Sequence, residues 1–351
     1  MSAITVRDLS KTFAYYRKQS GLRHSLRSLF RREQLYRHAV ANVSFDIAQG
    51  EAVGFIGPNG AGKTTTLKML SGILHPSEGE ARVLGYVPWE RRREFKRRFA
   101  IVMGQKSQLW WDLPANESIY LNKCIYGIDD REYRITLDEL ADMLDVKHLL
   151  GVQVRRLSLG ERMKMEIIAA LIHRPKLLFL DEPTLGLDFA AQQNVRQFLK
   201  AYKEEKNATI LLTSHYMRDI EHVCGRALVI HNGRIAYDGE LSRMSESFGR
   251  RKRMKVRFAA FIAPEELHEL VRLLADVRTH DGLTAELEVA ADEVKPLARL
   301  LLDHDLVEDW TVEEVPMEEV IERLYEAKSA DEGEGDDGEA SGTRPRQTSE
   351  G

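Results

Sequence analysis

Glu51-Ala52-Val53-Gly54-Phe55-Ile56-Gly57-Pro58-Asn59-Gly60-Ala61-Gly62-Lys63-Thr64-Thr65 decides how this chain folds. Glu51 to Ile56 reads as a short apolar strand running straight into a glycine loop. Behind the loop, Leu67, Leu70, Ile73 and Leu74 recur at helical spacing over Thr64 to Leu74, and Pro76 stops the pattern. Gly57 to Thr64 fits G-x-x-x-x-G-K-[ST], and strand, loop, helix is the order that motif needs. Glycines let successive backbone N–H groups converge on phosphate oxygens with no Cβ in the way. A helix starting near Lys63 adds its positive end to that anion site. On this reading Gly57, Pro58, Asn59, Gly60, Ala61, Gly62, Lys63, Thr64 and Thr65 cradle a nucleotide's phosphates. Lys63 reaches the outer ones and the Thr64 hydroxyl ligates Mg²⁺. The loop alone leaves kinases, GTPases and many ATPases open.

Leu177-Leu178-Phe179-Leu180-Asp181-Glu182 is a second apolar strand, ending in two carboxylates. Such a strand delivers acids rigidly to the carboxyl edge of a sheet, where open α/β sheets bind ligands. Asp181 is expected to hold Mg²⁺ and Glu182 to polarise an attacking water. A third apolar strand, Thr209 to Thr213, leads to Ser214-His215. There His215 is placed to donate a hydrogen bond to a γ-phosphate. Gln105, beyond the apolar stretch Phe99 to Met103, carries an amide that can accept from a metal-bound water and donate to the attacking one. Its value comes from position alone.

Leu157-Ser158-Leu159-Gly160-Glu161-Arg162, shortly before the Asp-Glu strand, turns these parts into a set. Across roughly residues 2 to 245 the chain resembles the nucleotide-binding subunits of ABC transporters. The resemblance implies a RecA-like core with an antiparallel β-subdomain and a helical subdomain at about 104–173. It also implies that Ser158 and Gly160 of one cassette cap ATP held by a second cassette, head to tail. Helical spacing of Met163, Ile167, Ala170 and Leu171 puts Ser158 and Gly160 at a helix start, another anion-binding end. The family's usual Leu-Ser-Gly-Gly-Gln is altered at Leu159 and Glu161, but the serine and the second glycine remain, so activity is expected. Gly186-Leu187-Asp188 matches the loop through which two cassettes communicate. The aromatic that stacks on adenine is Phe13, with Tyr15 and Tyr16 as competitors. Implied ligands are ATP and Mg²⁺. Implied partners are transmembrane permease subunits and a paired second cassette, identical or not, at the inner face of the cell membrane.

The rest of the chain narrows this. With 351 residues, one large domain and a smaller one are expected, at 1–248 and 249–328, followed by an acidic, disordered tail at 329–351. Net charge is −4 and the basic stretches are short and scattered, so no nucleic-acid partner is expected. Two distant cysteines, Cys124 and Cys224, exclude a disulfide scaffold and fit a cytoplasmic protein. No apolar run approaches membrane-spanning length. Residues 17–37 form a basic insert with Leu22, Leu26, Leu29 and Phe30 on one helical stripe, read as a contact for anionic headgroups or a permease. Arg91 to Arg98 reads as a solvated basic helix. Trp110-Trp111 reads either as an interface anchor or as packing within the helical subdomain.

After Gly249, strand, helix, strand, helix, strand (Lys255–Phe258, Pro264–Leu274, Leu283–Val289, Val294–Asp303, Val307–Val312) and a last helix from Met317 to Ala327 suggest a small ferredoxin-like α/β domain. Arg226 to Gly239 reads as a hairpin turning at Asn232-Gly233. With that extension the pattern looks closest to exporter ATPases that pair with separate permeases. A soluble cassette ATPase acting on ribosomes or nucleic acid, and an importer ATPase, are the alternatives. A small-molecule kinase would leave the Ser158 loop without a role.

Overall fold

The structure, a computed structural model, describes residues 2–16, 34–104, 106–244 and 250–333. The chain divides into two compact units between Ser242 and Arg243.

In the first unit a six-stranded sheet carries the site. Its strands are β3 (Ala52–Ile56), β5 (Phe99–Met103), β6 (Leu177–Asp181), β7 (Thr209–Thr213), β8 (Arg226–His231) and β9 (Arg234–Glu240), in the order β5-β6-β7-β3-β8-β9. All neighbours pair in parallel except β8 and β9. Every residue of β3, β6 and β7 is buried, which is why these strands read as unbroken apolar runs rather than alternating ones. The β8–β9 hairpin turns at Asn232-Gly233, with φ of 47° and 77°, as a tight primed turn requires.

A three-stranded antiparallel sheet, β2-β1-β4, packs beside it, from β1 (Ser2–Tyr16), β2 (Gln34–Ala48) and β4 (Glu78–Val83). Ile4, Val6, Leu9, Val43, Phe45 and Ile47 of this sheet share one core with Phe55, Phe179, Leu211 and Leu228 of the larger one. Gln34 to Arg37, expected to end the basic insert, are strand instead, and Arg37 stands opposite Phe13 in the β1–β2 ladder. Leu22, Leu26, Leu29 and Phe30 lie outside the described residues.

The helix behind the glycine loop, α1 (Lys63–Leu70), stops earlier than the expected Leu74, because Gly72 takes a positive φ and turns the chain. The basic run keeps only one helical turn, α2 (Arg93–Lys96), around a fully buried Phe95. Its arginines are not merely solvated: Arg91 donates to the carbonyls of Gly72 and Ile73, and Arg97 to that of Tyr126. Helices α3 (Ala115–Tyr126), α4 (Asp130–Met143) and α5 (Leu159–Leu171) make up the helical stretch between β5 and β6. Two further helices complete the unit, α6 (Phe189–Lys206) between β6 and β7 and α7 (Met217–Val223) between β7 and β8.

The second unit contains β10 (Arg251–Phe258), α8 (Pro264–Val271), β11 (Ala275–His280), β12 (Thr284–Ala290), α9 (Val294–Leu302), β13 (Val307–Glu314) and α10 (Met317–Gly333). Sheet order is β11-β12-β10-β13, antiparallel throughout, the split βαβ arrangement of ferredoxin-like folds. Met254, Val256, Phe258, Leu287 and Val289 face Leu267, Val271, Leu297 and Leu301 of α8 and α9. Strand β11 escaped the sequence reading, which ran helix α8 on to Leu274. It is an edge strand with mostly half-exposed or exposed residues, so it lacks a strong apolar pattern. Helix α10 runs past the expected Ala327 to Gly333. On the sheet's other face Glu288, 3% exposed, takes bonds from both Arg323 nitrogens at 2.7 and 2.6 Å, from Arg278 at 2.7 Å and from Arg251 at 3.2 Å. Among the described residues no helix is long and apolar enough to cross a membrane.

Candidate functional site

Strand β3 ends at Ile56, and the chain must reverse within seven residues to start α1 at Lys63. Gly62 makes this possible: its φ is +114°, and a Cβ there would sit 2.5 Å from the Ala39 carbonyl oxygen. Lys63 folds back over the loop and donates to the carbonyls of Gly57 at 2.5 Å and Pro58 at 3.2 Å. Burial lowers its ammonium pKa, with Glu182 and Asp181 opposing that shift. Among the described residues this buried ammonium bonds only to neutral carbonyls, which leaves it poised for an anion. The Thr64 hydroxyl lies 3.0 and 3.2 Å from the two Asp181 oxygens, although 117 residues separate them in sequence. Strand register explains the meeting, since β6 lies two strands from β3 and brings its last residue to the same edge.

Glu182 follows at once, in the left-handed region with φ of 56°. For a non-glycine residue this conformation is uncommon and costs of order 1 kcal/mol or more. It is held by bonds from Glu182 N–H to the Thr213 carbonyl and hydroxyl, at 3.1 and 3.2 Å. Its Oε2 accepts from the His215 N–H at 3.0 Å. Oε1 is buried and accepts no hydrogen bond among the described residues; the His215 imidazole Nε2 stands 3.4 Å away without bonding geometry. Burial pushes the Glu182 carboxyl pKa up, with His215 and Lys63 pulling it down. An orphaned, strained, desolvated carboxylate of raised basicity can accept a proton from a water.

These groups border one cavity of about 410 Å³. Of the residues expected to bind nucleotide, Phe13, Asn59, Gly60, Gly62, Lys63, Thr64, Thr65, Asp181, Glu182 and His215 line it. Tyr15 does not line it, and the side chain of Tyr16 lies outside the described residues. Gln105 lies outside the described residues, while its neighbours Gly104 and Lys106 line the cavity. Gly104 cannot carry a side chain, because a Cβ would come 2.2 Å from the Glu182 carbonyl oxygen. Two larger cavities, of about 530 and 430 Å³, lie elsewhere. The larger is bordered by Glu139, which is paired with Lys206 and Arg174.

Ser158, Gly160 and Asp188 are not in the cavity. Ser158 is exposed and N-caps α5: its hydroxyl accepts from Glu161 N–H at 3.3 Å, and Glu161 Oε2 accepts from Ser158 N–H at 2.8 Å. Asp188 is exposed and N-caps α6 through a bond from Ala191 N–H at 2.8 Å. Gly57, Pro58 and Ala61 do not line the cavity; Gly57 and Ala61 are buried, Pro58 is exposed, and the Ala61 N–H donates to the Pro58 carbonyl at 3.2 Å. Arg37, Lys68 and Lys106 were missed as site residues, and all three line the cavity. Lys68 lies in the last turn of the helix that opens at Lys63, and Lys106 next to Gln105, so both were findable. Arg37 was hidden by its assignment to the insert.

The residues present fit a nucleotide with a divalent cation: a glycine cradle, an ammonium, three further basic side chains and a Thr–Asp pair of hard oxygen donors. Comparisons agree. Residues 40–185 match the ABC transporter family, and residues 250–313 match the EvrA-like ABC transporter C-terminal domain. The ABC transporter ATP-binding protein NatA of Bacillus subtilis (strain 168) is 35% identical over 209 residues, 60% of this chain and 85% of NatA. The bacitracin transport ATP-binding protein BcrA of Bacillus licheniformis is 32% identical over 197 residues, 56% of this chain and 63% of BcrA. A solved ATP-binding subunit of an ABC transporter superposes with a TM-score of 0.58 at 28% identity, covering 70% of this chain and 93% of that one. With that identity to NatA over most of its length, and with this site, the chain belongs to the ABC transporter ATP-binding proteins, the ATP-hydrolysing cassettes of these transporters.

Proposed function

We propose that this cassette pairs head to tail with a second one around two ATP molecules and drives export through separate permease subunits, docked at the inner face of the cell membrane. One observation carries the pairing: the cavity is lined by the phosphate loop and both carboxylates, while Ser158 and Gly160 stand outside it at a helix start where Ser158 is exposed and Gly160 is packed against Ala191. A second cassette must supply them. In this reading Lys63 and the loop N–H groups bind the β- and γ-phosphates, and Phe13 stacks on adenine. Mg²⁺ would be held by Thr64 and Asp181, with Gln105, and would neutralise phosphate charge. Glu182 accepts the proton of the attacking water, and His215 donates to the γ-phosphate.

Export rather than import is the reading that suits the likeness to BcrA, whose name is that of a bacitracin transport protein. Trp110 and Trp111 are 60% and 53% exposed, so neither is packed away, and they suit an anchor for the permease. Glu182→Gln tests the core of the proposal. It should retain ATP binding, lose turnover by about 10²–10⁴-fold and accumulate an ATP-bound dimer in sedimentation analysis. Turnover at the wild-type rate would remove Glu182 from the role of base.

A further inference from the structure

The loops that carry His215, Glu182 and Asp188 are joined behind the cavity by one buried carboxylate. Asp219 on α7 is 1% exposed. Its Oδ2 accepts from the Thr184 hydroxyl and, at 2.5 Å, from the Ser214 hydroxyl. Ser214 in turn accepts from the Tyr216 N–H at 3.0 Å, which closes the turn around His215. Asp219 Oδ1 accepts from Arg196 Nε on α6 at 2.5 Å. Arg196 also donates to Gln192 Oε1 at 2.9 Å, and the Gln192 amide donates to the Leu187 carbonyl at 3.2 Å. Thr184 lies two residues beyond Glu182, Ser214 one before His215, and Leu187 one before Asp188. Two loops, one from Glu182 to Asp188 and one around His215, are thus joined with helix α6 through one side chain.

Stability does not explain the arrangement well. Well-packed apolar residues usually hold a core as firmly as a buried ion pair, whereas a fully satisfied polar network fixes one geometry. We propose that Asp219 is a positioning residue for ATP hydrolysis: it makes the Ser214–His215 turn and the Glu182–Thr184 turn one body, and ties both through Arg196 and Gln192 to the Gly186–Asp188 loop. A displacement of His215 on contact with a γ-phosphate is then felt at the exposed loop that faces a second cassette. The inference rests on the roles given above to His215 and Glu182. Asp219 itself touches no reacting atom.

The test uses the full chain with Thr184→Val, Ser214→Ala, their double variant and Gln192→Met. Each of the first two removes one donor to Asp219 and keeps side-chain volume close. Both should lower kcat about tenfold while KM for ATP stays within about twofold, because the network acts on the hydrolytic geometry and not on ground-state binding. Since both bonds end on one carboxylate, the double variant should also lose about tenfold and not about a hundredfold. Binding stoichiometry of a fluorescent ATP analogue corrects kcat for any unfolded fraction. Gln192 is half-exposed, so Gln192→Met folds even where the inner variants fail. It should lower kcat at least threefold at unchanged KM. Multiplicative losses in the double variant, singles within twofold of wild-type kcat, or a raised KM at wild-type kcat would each overturn the inference. So would wild-type kcat in Gln192→Met. Glu182→Gln measured alongside separates the two readings: if it turns over normally the site assignment fails, and if it is dead while the losses multiply only the Asp219 inference fails.

Discussion

Glu161 stands where the resembled family has glutamine, and the structure shows what the carboxylate does there. It closes a capping box with Ser158, and that backbone bond, helped by the Ser158 hydroxyl, holds its carboxyl below the usual range. The Ser158 oxygen accepts from Glu161 N–H while its O–H serves the Glu161 carboxylate, and turning that O–H to a phosphate would keep the N–H bond of the cap intact. Glu161→Ala removes the acceptor for Ser158 N–H and the negative charge at the start of α5. Loss of half the cap costs about 1 kcal/mol, and loss of the dipole interaction about 0.5 kcal/mol. In a cassette of this size that is a fall in Tm of about 3–6 °C. Glu161→Gln keeps an acceptor and loses only the charge, so Tm should fall by about 1–2 °C. On dimerisation the two variants should part. A carboxylate in the loop that meets an incoming phosphate repels it by about 0.5–1 kcal/mol in water-like surroundings. Glu161→Gln should therefore tighten the ATP-bound dimer about twofold or more, an advantage that shrinks as salt is raised, whereas Glu161→Ala should weaken it. Calorimetry gives Tm, and sedimentation equilibrium in the Glu182→Gln background gives the dimer constant. A wild-type Tm for Glu161→Ala would show that the box contributes nothing. A weaker dimer for Glu161→Gln would show that the charge makes a favourable contact instead of a repulsion.

Further outcomes follow from charges in each unit. Burial raises the Glu182 carboxyl, which must be ionised to take a proton, so kcat/KM should fall on the acid side with an apparent pKa above the ordinary 4.5. His215 lowers that value, so His215→Ala should move the acid limb further up in a pH–rate profile; an unmoved limb would contradict the coupling. Glu288 in the C-terminal unit has its carboxyl pushed up by burial but held down more strongly by Arg323 and Arg278, to about 2. A depressed carboxylate stabilises the fold above its unfolded pKa of 4.5, and that contribution is lost as pH falls towards 2. Glu288→Ala leaves three arginines facing one another and should cost about 3 kcal/mol, the low end for a broken buried pair because the arginines can turn to water. Far-UV circular dichroism against pH and urea reads both, and ATP binding should be unchanged.

Legibility followed how local the signal was. The strand and loop from Glu51 to Lys63 were readable because the phosphate site is built from consecutive residues and the surrounding strands are buried on both faces. Arg37 was not, since its place beside Phe13 comes from the β1–β2 register, formed across a gap of more than twenty residues. The edge strand β11 failed for a different reason. A strand with one neighbour and a mostly solvated surface needs few apolar residues, and Ala275 to His280 offers only Ala275 and Val277. Arg91 and Arg97 looked like surface charge because a sequence does not reveal which carbonyls a helix end leaves unpaired; they serve Gly72, Ile73 and Tyr126.

Glu182 breaks more local rules than any other residue named in the site, and the breaks have one origin. Sequence alone makes it a strand-terminal acid, which would ordinarily turn to water. Instead its backbone is left-handed and its side chain buried, the Thr213 bonds hold its N–H, and Gly104 lies close against its carbonyl oxygen. Burial is what raises its basicity and strips Oε1 of a partner. Were the same acid placed in an unstrained conformation, it would be solvated, of ordinary pKa and a poorer proton acceptor at neutral pH. The backbone strain is therefore a cause of the chemistry and not a by-product of tight packing. That also explains why the network behind it is polar: Asp219 fixes Thr184 and Ser214 on either side of the strained turn, where apolar packing would tolerate its relaxation.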